Sequence, residues 1–254
     1  MPPFRFLSAA VAVLALSLAL LAARPAAAQQ TSFTPAQKTA IEAMIRDYLV
    51  KNPEVLVEAM HALDAKQQAG AAAASRAAIA ASHKDLFEDA ASYVAGNPKG
   101  DVTIVEFFDY RCPYCKQMQP HIQALLKEDG KLRLVLKELP VLGPESVIAS
   151  RAAVAALQQG KGSKYMAFHD AMMAFRGQLS DTEIFRMAGE AGLDVAKLKT
   201  DMQTPKVEAV LRDNLALADR LGIQGTPAFV IGTELAPGAV SLDSLRQMVK
   251  AARS

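Results

Sequence analysis

The chain has 254 residues, 51% of them hydrophobic and 21% charged, with 28 Lys and Arg against 26 Asp and Glu. So even a balance argues against nucleic acid as the main partner, which would call for a clear basic surplus. With only two cysteines, no disulfide scaffold can hold the fold together.

The first 28 residues read as an export signal. Arg5 supplies the positive start, Phe6 to Ala23 is an apolar stretch without a charge, and Ala26-Ala27-Ala28 offers a small-residue cleavage site. The run is long for a signal, so an uncleaved membrane anchor is the alternative, but Arg24-Pro25 ahead of the alanines favours cleavage. Removing residues 1–28 takes away Arg5 and Arg24 and no acid, leaving 26 basic against 26 acidic residues. No later segment approaches the roughly 18 apolar residues that span a bilayer.

A polar leader over 29–33 is followed by Thr34-Pro35-Ala36-Gln37, a capping box with proline at the first helical position. The helix it opens carries Ile41, Met44, Ile45, Tyr48 and Leu49 as one stripe. Asn52-Pro53-Glu54 punctuates it, with Asn52 as cap and Pro53 as opener of a second helix whose stripe is Leu56, Met60 and Leu63. These apolar faces over 35–65 need a cover: copies of the same segment, or the chain's own catalytic domain. Residues 66–82 are alanine- and glutamine-rich around Gly70 and fit either a helix or a semi-flexible linker. His83 to Val94 reads as another short helix, stopped by the turn cluster Gly96-Asn97-Pro98-Lys99-Gly100. The expected division is 29–69 for the N-terminal helical segment, 70–99 for a helical linker and 100–254 for one catalytic domain.

Within 100–254 the pattern alternates. Val102 to Phe108 is β-branched and aromatic, as a buried strand requires. Cys112-Pro113-Tyr114-Cys115 follows, and then a helix with Met118, Ile122, Leu125 and Leu126 at helical spacing, interrupted by Pro120. Lys131 to Lys137 reads as a second strand. Helices are expected over 145–159, 164–175, 181–191, 195–203 and 207–221, the third opened by the capping box Ser180-Asp181-Thr182-Glu183. Ala228 to Ile231 is a third strand, Pro237-Gly238 a turn, and Ser241 to Ala252 a closing helix with Leu242, Leu245 and Val249 inward.

The cysteine pair between strand and helix is the candidate site. That position sets the first sulfur against free backbone N–H groups and the positive end of the helix dipole, both of which favour the thiolate. Cys115, one turn on, can reach the first sulfur, so Cys112 attacks and Cys115 resolves. A structural disulfide between residues three apart would close too small a loop to constrain the unfolded chain. A zinc site would need more ligands than this pair and the scattered histidines His61, His83, His121 and His169 supply. Neither a metal nor a cofactor is expected.

Phe107-Phe108-Asp109-Tyr110-Arg111-Cys112-Pro113-Tyr114-Cys115, with Thr226-Pro227 far downstream before a strand, resembles the thioredoxin-fold disulfide oxidoreductases of the DsbA type. The helical block at about 145–221 is similar to the insertion of that group. The run from Ile41 to Leu49, with Asn52-Pro53-Glu54-Val55-Leu56, is similar to the N-terminal segment of the ScsC group, the suppressor-of-copper-sensitivity proteins. The implied fold is α/β, a thioredoxin fold with an inserted helical block, preceded by a helical oligomerisation segment.

The resemblance also implies a cis bond before Pro227, with the Thr226 backbone presented to an extended substrate. It implies that Glu106 is a buried acid that takes or relays the Cys115 proton, needing a raised pKa. Lys137 is a candidate ion partner for Glu106 from the neighbouring strand. Pro113 and Tyr114 support the site and carry no charge, and threonine before the cis-proline is similar to the isomerase and reductase members. The implied protein is a periplasmic disulfide isomerase or reductase acting on secreted proteins with cysteines. A membrane thiol-disulfide partner would serve it, and residues 35–65 would form a homo-oligomer, a trimer by resemblance. The alternatives are a monomeric disulfide oxidase, or a copper-tolerance protein holding Cu(I) on the two thiolates with Met118.

Overall fold

A computed structural model of the chain describes residues 33–160 and 162–254. The expected signal and nearly all of the polar leader lie outside the described residues. The chain divides into two compact units, residues 1–63 and 64–254.

In the first unit, helix α1 (Pro35–Lys51) opens as its sequence dictates: Thr34 caps Gln37 N–H while the Gln37 side chain returns to the Thr34 amide. Asn52 behaves differently from expectation. It closes α1, its amide side chain donating to the Tyr48 carbonyl at 2.9 Å. Helix α2 (Glu54–Ala81) then runs unbroken through the alanine-rich stretch and Gly70, so the helical alternative for residues 66–82 is the one that forms. No residue of α1 is buried. Ile41, Met44, Ile45 and Tyr48, with Leu56, Val57, Met60 and Leu63 at the start of α2, all stand exposed.

In the second unit a five-stranded sheet has the order β1-β3-β2-β4-β5, with β1 (Tyr93–Gly96), β2 (Val102–Phe108), β3 (Leu132–Glu138), β4 (Ala228–Ile231) and β5 (Glu234–Pro237). The pair β2 and β3 is parallel and the other three are antiparallel. The helix expected over His83 to Val94 is corrected: α3 spans only His83–Phe87, and Tyr93 and Val94 belong to β1. Tyr93 pairs with Leu136 and Val94 with Val135, so a strand already present draws this β-prone pair into an edge. β5 likewise forms at the opposite edge, where only a turn at Pro237-Gly238 was expected.

Side chains alternate across β2 and β3 and feed two cores. Ile104, Phe108, Leu134 and Leu136 face one side, packed with α4 (Pro113–Glu128), which runs on through Pro120, and with the terminal helix α10 (Leu242–Ala252). The inserted block, α5 (Pro144–Leu157), α6 (Ser163–Ala174), α7 (Asp181–Glu190) and α8 (Val195–Asp201), adds to the same core. Val105, Phe107 and Val135 face the other side, against Ile79 of α2, Leu86 of α3 and Leu217 of α9 (Pro205–Arg220).

Candidate active site

Parallel pairing delivers β2 to the start of α4, and the turn between them carries the cysteines. Cys112 is the N-cap of α4, in extended backbone, and Pro113 takes the first helical position, where its missing N–H costs nothing. The Cys112 sulfur accepts from the Cys115 amide at 3.4 Å and donates to the Thr226 carbonyl at 3.1 Å. The bond between Thr226 and Pro227 is cis, as expected. Cys112 is 3% exposed and Cys115 fully buried, whereas Tyr114 is open to solvent. Both thiols are free and both are buried, so what separates them is their surroundings.

Their acidities are pulled apart. The Cys115 thiol donating to Cys112 is the largest influence lowering the Cys112 pKa, to about 6, helped by the Thr226 side chain and by the Cys115 and Tyr114 amides against the cost of burial. Burial pushes Cys115 far above the ordinary thiol range, and its bond to Cys112 pushes it further. Neutral pH therefore finds one thiolate and one thiol.

Glu106 lies on β2 with its side chain on the same sheet face as Ile104 and Phe108, the face that α4 covers. It is 1% exposed and neither carboxylate oxygen has a hydrogen-bond partner. Burial first, and the Cys112 charge second, raise its pKa to about 8. Lys137 does not pair with it. The β2–β3 register sets Lys137 beside Phe107, so its side chain points to the other face. There it meets Asp89 at 2.8 Å, Ser92 at 3.1 Å and Asn214 at 3.5 Å.

Sequence reasoning missed the parts that hold the turn. Asp109 is fully buried and accepts from Arg111 N, Ser146 Oγ, Val141 N and Leu142 N at 2.7 to 3.1 Å, tying the cysteine turn to the β3–α5 loop. Beneath the turn, the Tyr110 hydroxyl meets His169 Nδ1 at 3.0 Å, and the Tyr165 hydroxyl donates to Glu138 at 3.0 Å. Burial lowers the His169 pKa to about 3 and raises that of Glu138 to about 7. The one available signal was local: an aspartate between a strand end and a cysteine helix is placed to cap exposed amides. Met118 is 1% exposed within the core. Among the described residues no group of three or more His, Cys, Asp or Glu is disposed to hold a metal ion.

A thioredoxin-like sheet bearing a polarised Cys-x-x-Cys at a helix N-terminus defines a thiol:disulfide oxidoreductase. Residues 103–250 match the DsbA-like thioredoxin domain, and residues 37–69 match the copper resistance protein ScsC N-terminal domain. The chain belongs to the DsbA-like thioredoxin domain family, with the ScsC type of N-terminus.

Solved structures agree. A thioredoxin-like oxidoreductase from Silicibacter pomeroyi DSS-3 is 47% identical, with a TM-score of 0.64 over 67% of this chain and 96% of that one. ScsC of Proteus mirabilis in a transitional conformation is 34% identical, with a TM-score of 0.64 over 87% of this chain and 97% of that one. The chain is also 28% identical over 162 residues to the Na(+)/H(+) antiporter NhaA 3 of Salinispora tropica, covering 63% of this chain. It spans about a quarter of that antiporter's length, 24%.

Proposed function

We propose that the protein is an exported, periplasmic thiol-disulfide interchange protein, working as an isomerase or reductase on secreted proteins. The Cys112 thiolate attacks one sulfur of a substrate disulfide, forming a mixed disulfide and releasing the other substrate sulfur as a thiolate. In isomerisation that thiolate, or another in the substrate, attacks elsewhere and expels Cys112 with no net redox change. In reduction Cys115 loses its proton and attacks Cys112, the substrate leaves with two electrons and two protons, and the Cys112–Cys115 disulfide is re-reduced by a membrane thiol-disulfide partner. Glu106, buried on the face that α4 covers with neither oxygen partnered, is the relay for the Cys115 proton. Its pKa of about 8 leaves a minority ionised near neutrality to accept it. The Thr226-Pro227 backbone receives the substrate in strand-like fashion, and Pro113 and Tyr114 shape the rim.

The observation that carries the isomerase reading is the apolar surface open on α1 and the start of α2, with Met44 69% and Met60 64% exposed. Such a run on a soluble chain marks an interface. We assign it to self-association, which gathers several dithiols around one substrate and raises effective concentration. No helix among the described residues is long and apolar enough to cross a membrane. Residues 29–69 then serve assembly and 100–254 catalysis, while 70–99, expected as a linker, contributes Ile79, Leu86 and strand β1 to the catalytic unit.

The test is reactivation of scrambled ribonuclease in a glutathione buffer by the chain from residue 29 onward. Reactivation that vanishes with Cys112→Ser supports the proposal. No reactivation, together with rapid oxidation of a dithiol peptide, makes the protein an oxidase.

A further inference from the structure

Beside the cysteine turn lies an open cleft of about 630 Å³, lined by Arg111, Pro113, Lys116, Glu145, Arg176 and Gln178 among others. Arg111 and Pro113 flank Cys112 directly, so the cleft begins where a substrate cysteine must arrive. Three cations surround it and one carboxylate answers them. Glu145 sits 3.2 Å from Arg111 Nε and accepts from Gln178 at 3.0 Å, so its capacity is largely used. Among the described residues, Lys116 and Arg176 have no carboxylate within ion-pair distance. Lys116 donates to the Phe175 carbonyl, and Arg176 to those of Met173 and Ala174. The backbone thus fixes both charges in place without neutralising them. Burial presses the Lys116 pKa below its ordinary value, and the neighbouring Arg176 and Arg111 add to this against the opposing pull of Asp109.

We infer that this cleft is a specificity site that receives acidic side chains of a substrate protein close to its reacting cysteine. The inference rests on the thiol-exchange reading and names the substrate feature that it prefers. Guanidinium groups suit carboxylates through charge-assisted hydrogen bonds. Charge of this kind acts mainly on encounter and orientation, so it raises the rate of exchange more than it alters the chemistry.

Two dithiol peptides of equal length distinguish the outcomes, one with two aspartates beside the first cysteine and one with two lysines. Each is mixed with the purified, oxidised protein. A peptide thiolate attacks the Cys112 sulfur and releases Cys115. The second peptide thiolate then attacks the peptide sulfur and expels Cys112, so the peptide is oxidised and the protein reduced. The acidic peptide is expected to react roughly tenfold faster at low salt, at the lower end of electrostatic steering. That ratio should shrink towards about two near 0.5 M salt, where screening is short-ranged. Arg176→Glu should bring the ratio to one or invert it, and Arg176→Gln should give an intermediate value. Because both peptides meet the same dithiol, partial misfolding scales both rates and leaves the ratio intact. Equal rates for the two peptides at low salt, or a ratio unmoved by Arg176→Glu, overturns the cleft assignment alone. Failure to react with either peptide overturns the exchange reading itself.

Discussion

The Cys115 amide donates to the Cys112 sulfur at 3.4 Å, and the Cys115 thiol lies within reach of the same atom. Three residues of separation at a helix start make this contact, and it polarises the pair. A sulfur that accepts bonds from its neighbour is stabilised as an anion, while the donor, fully buried, keeps its proton. That polarity suits the proposed division of labour, in which Cys112 attacks and Cys115 resolves.

The first prediction concerns pH. Alkylation of reduced protein by iodoacetamide should rise with an apparent midpoint near 6, the Cys112 value, and Cys115 should stay unlabelled. Because the folded pKa lies below that of the unfolded chain, the thiolate stabilises the reduced form fully above the unfolded thiol value of about 8.5. That stabilisation fades as pH falls towards 6. A labelling midpoint above 8 would contradict the polarised pair.

Glu106 gives the opposite sign. Its folded pKa of about 8 exceeds an unfolded value of about 4.3. The unfolded chain therefore ionises first, and the cost to stability grows between those two pH values. About 1.4 kcal/mol accrues for each pH unit above the lower value. Glu106→Gln removes that cost but buries an unpaired amide, so stability at pH 7 should rise by about 1–3 kcal/mol. Urea titration of mutant and parent checks it. The same change should slow release of a Cys112 mixed disulfide by roughly tenfold or more, read by quenching and separation of the adduct.

How far the sequence speaks can be judged element by element. Val102 to Phe108 announces itself because burial on both faces favours β-branched and aromatic residues at nearly every position, and β2 has those bounds. The thiol motif and the Thr34 capping box are equally local. β1 and β5 are not, since four-residue edge strands owe their form to the partner that pairs with them. The fate of Lys137 was illegible for a related reason: facing is set by register, and one residue of offset sends a side chain to the opposite face. Asp109, Glu138 and the cleft cations gather from distant segments, and no spacing rule joins Arg111 to Arg176.

Lys137 supplies the next test. Its ammonium is 1% exposed and held by Asp89, where burial raises the carboxyl pKa but Lys137, Ser92 and the Ala91 amide together hold it below its ordinary value. Asp89→Ala removes the carboxylate at 2.8 Å and leaves the neutral Ser92 and Asn214 side chains within reach of that charge. The loss should be about 2 kcal/mol, below the 3–5 typical of a fully buried pair since Asp89 is only half-buried. Iodoacetamide labelling of Cys112 should keep its midpoint, because the network lies on the far side of the sheet. A shifted midpoint would show that the two faces are coupled.

The last prediction separates assembly from exchange. Met44 and Met60 stand exposed on α1 and α2, and neither belongs to the second unit, where the dithiol lies. Converting both to aspartate places charges on the apolar surface, which an interface core disfavours. Sedimentation velocity at micromolar concentration should show the parent as an oligomer and Met44→Asp/Met60→Asp as a monomer. The monomer should still exchange with a small dithiol peptide at near-parent rate, because that step needs only one Cys112. Reactivation of scrambled ribonuclease should fall at least tenfold, since repeated attack on one bound substrate depends on neighbouring sites. If the parent itself sediments as a monomer, the shared-substrate mechanism fails while the exchange chemistry of Cys112 and Cys115 stands. If the monomeric variant reactivates ribonuclease as well as the parent, the apolar surface has some other occupant.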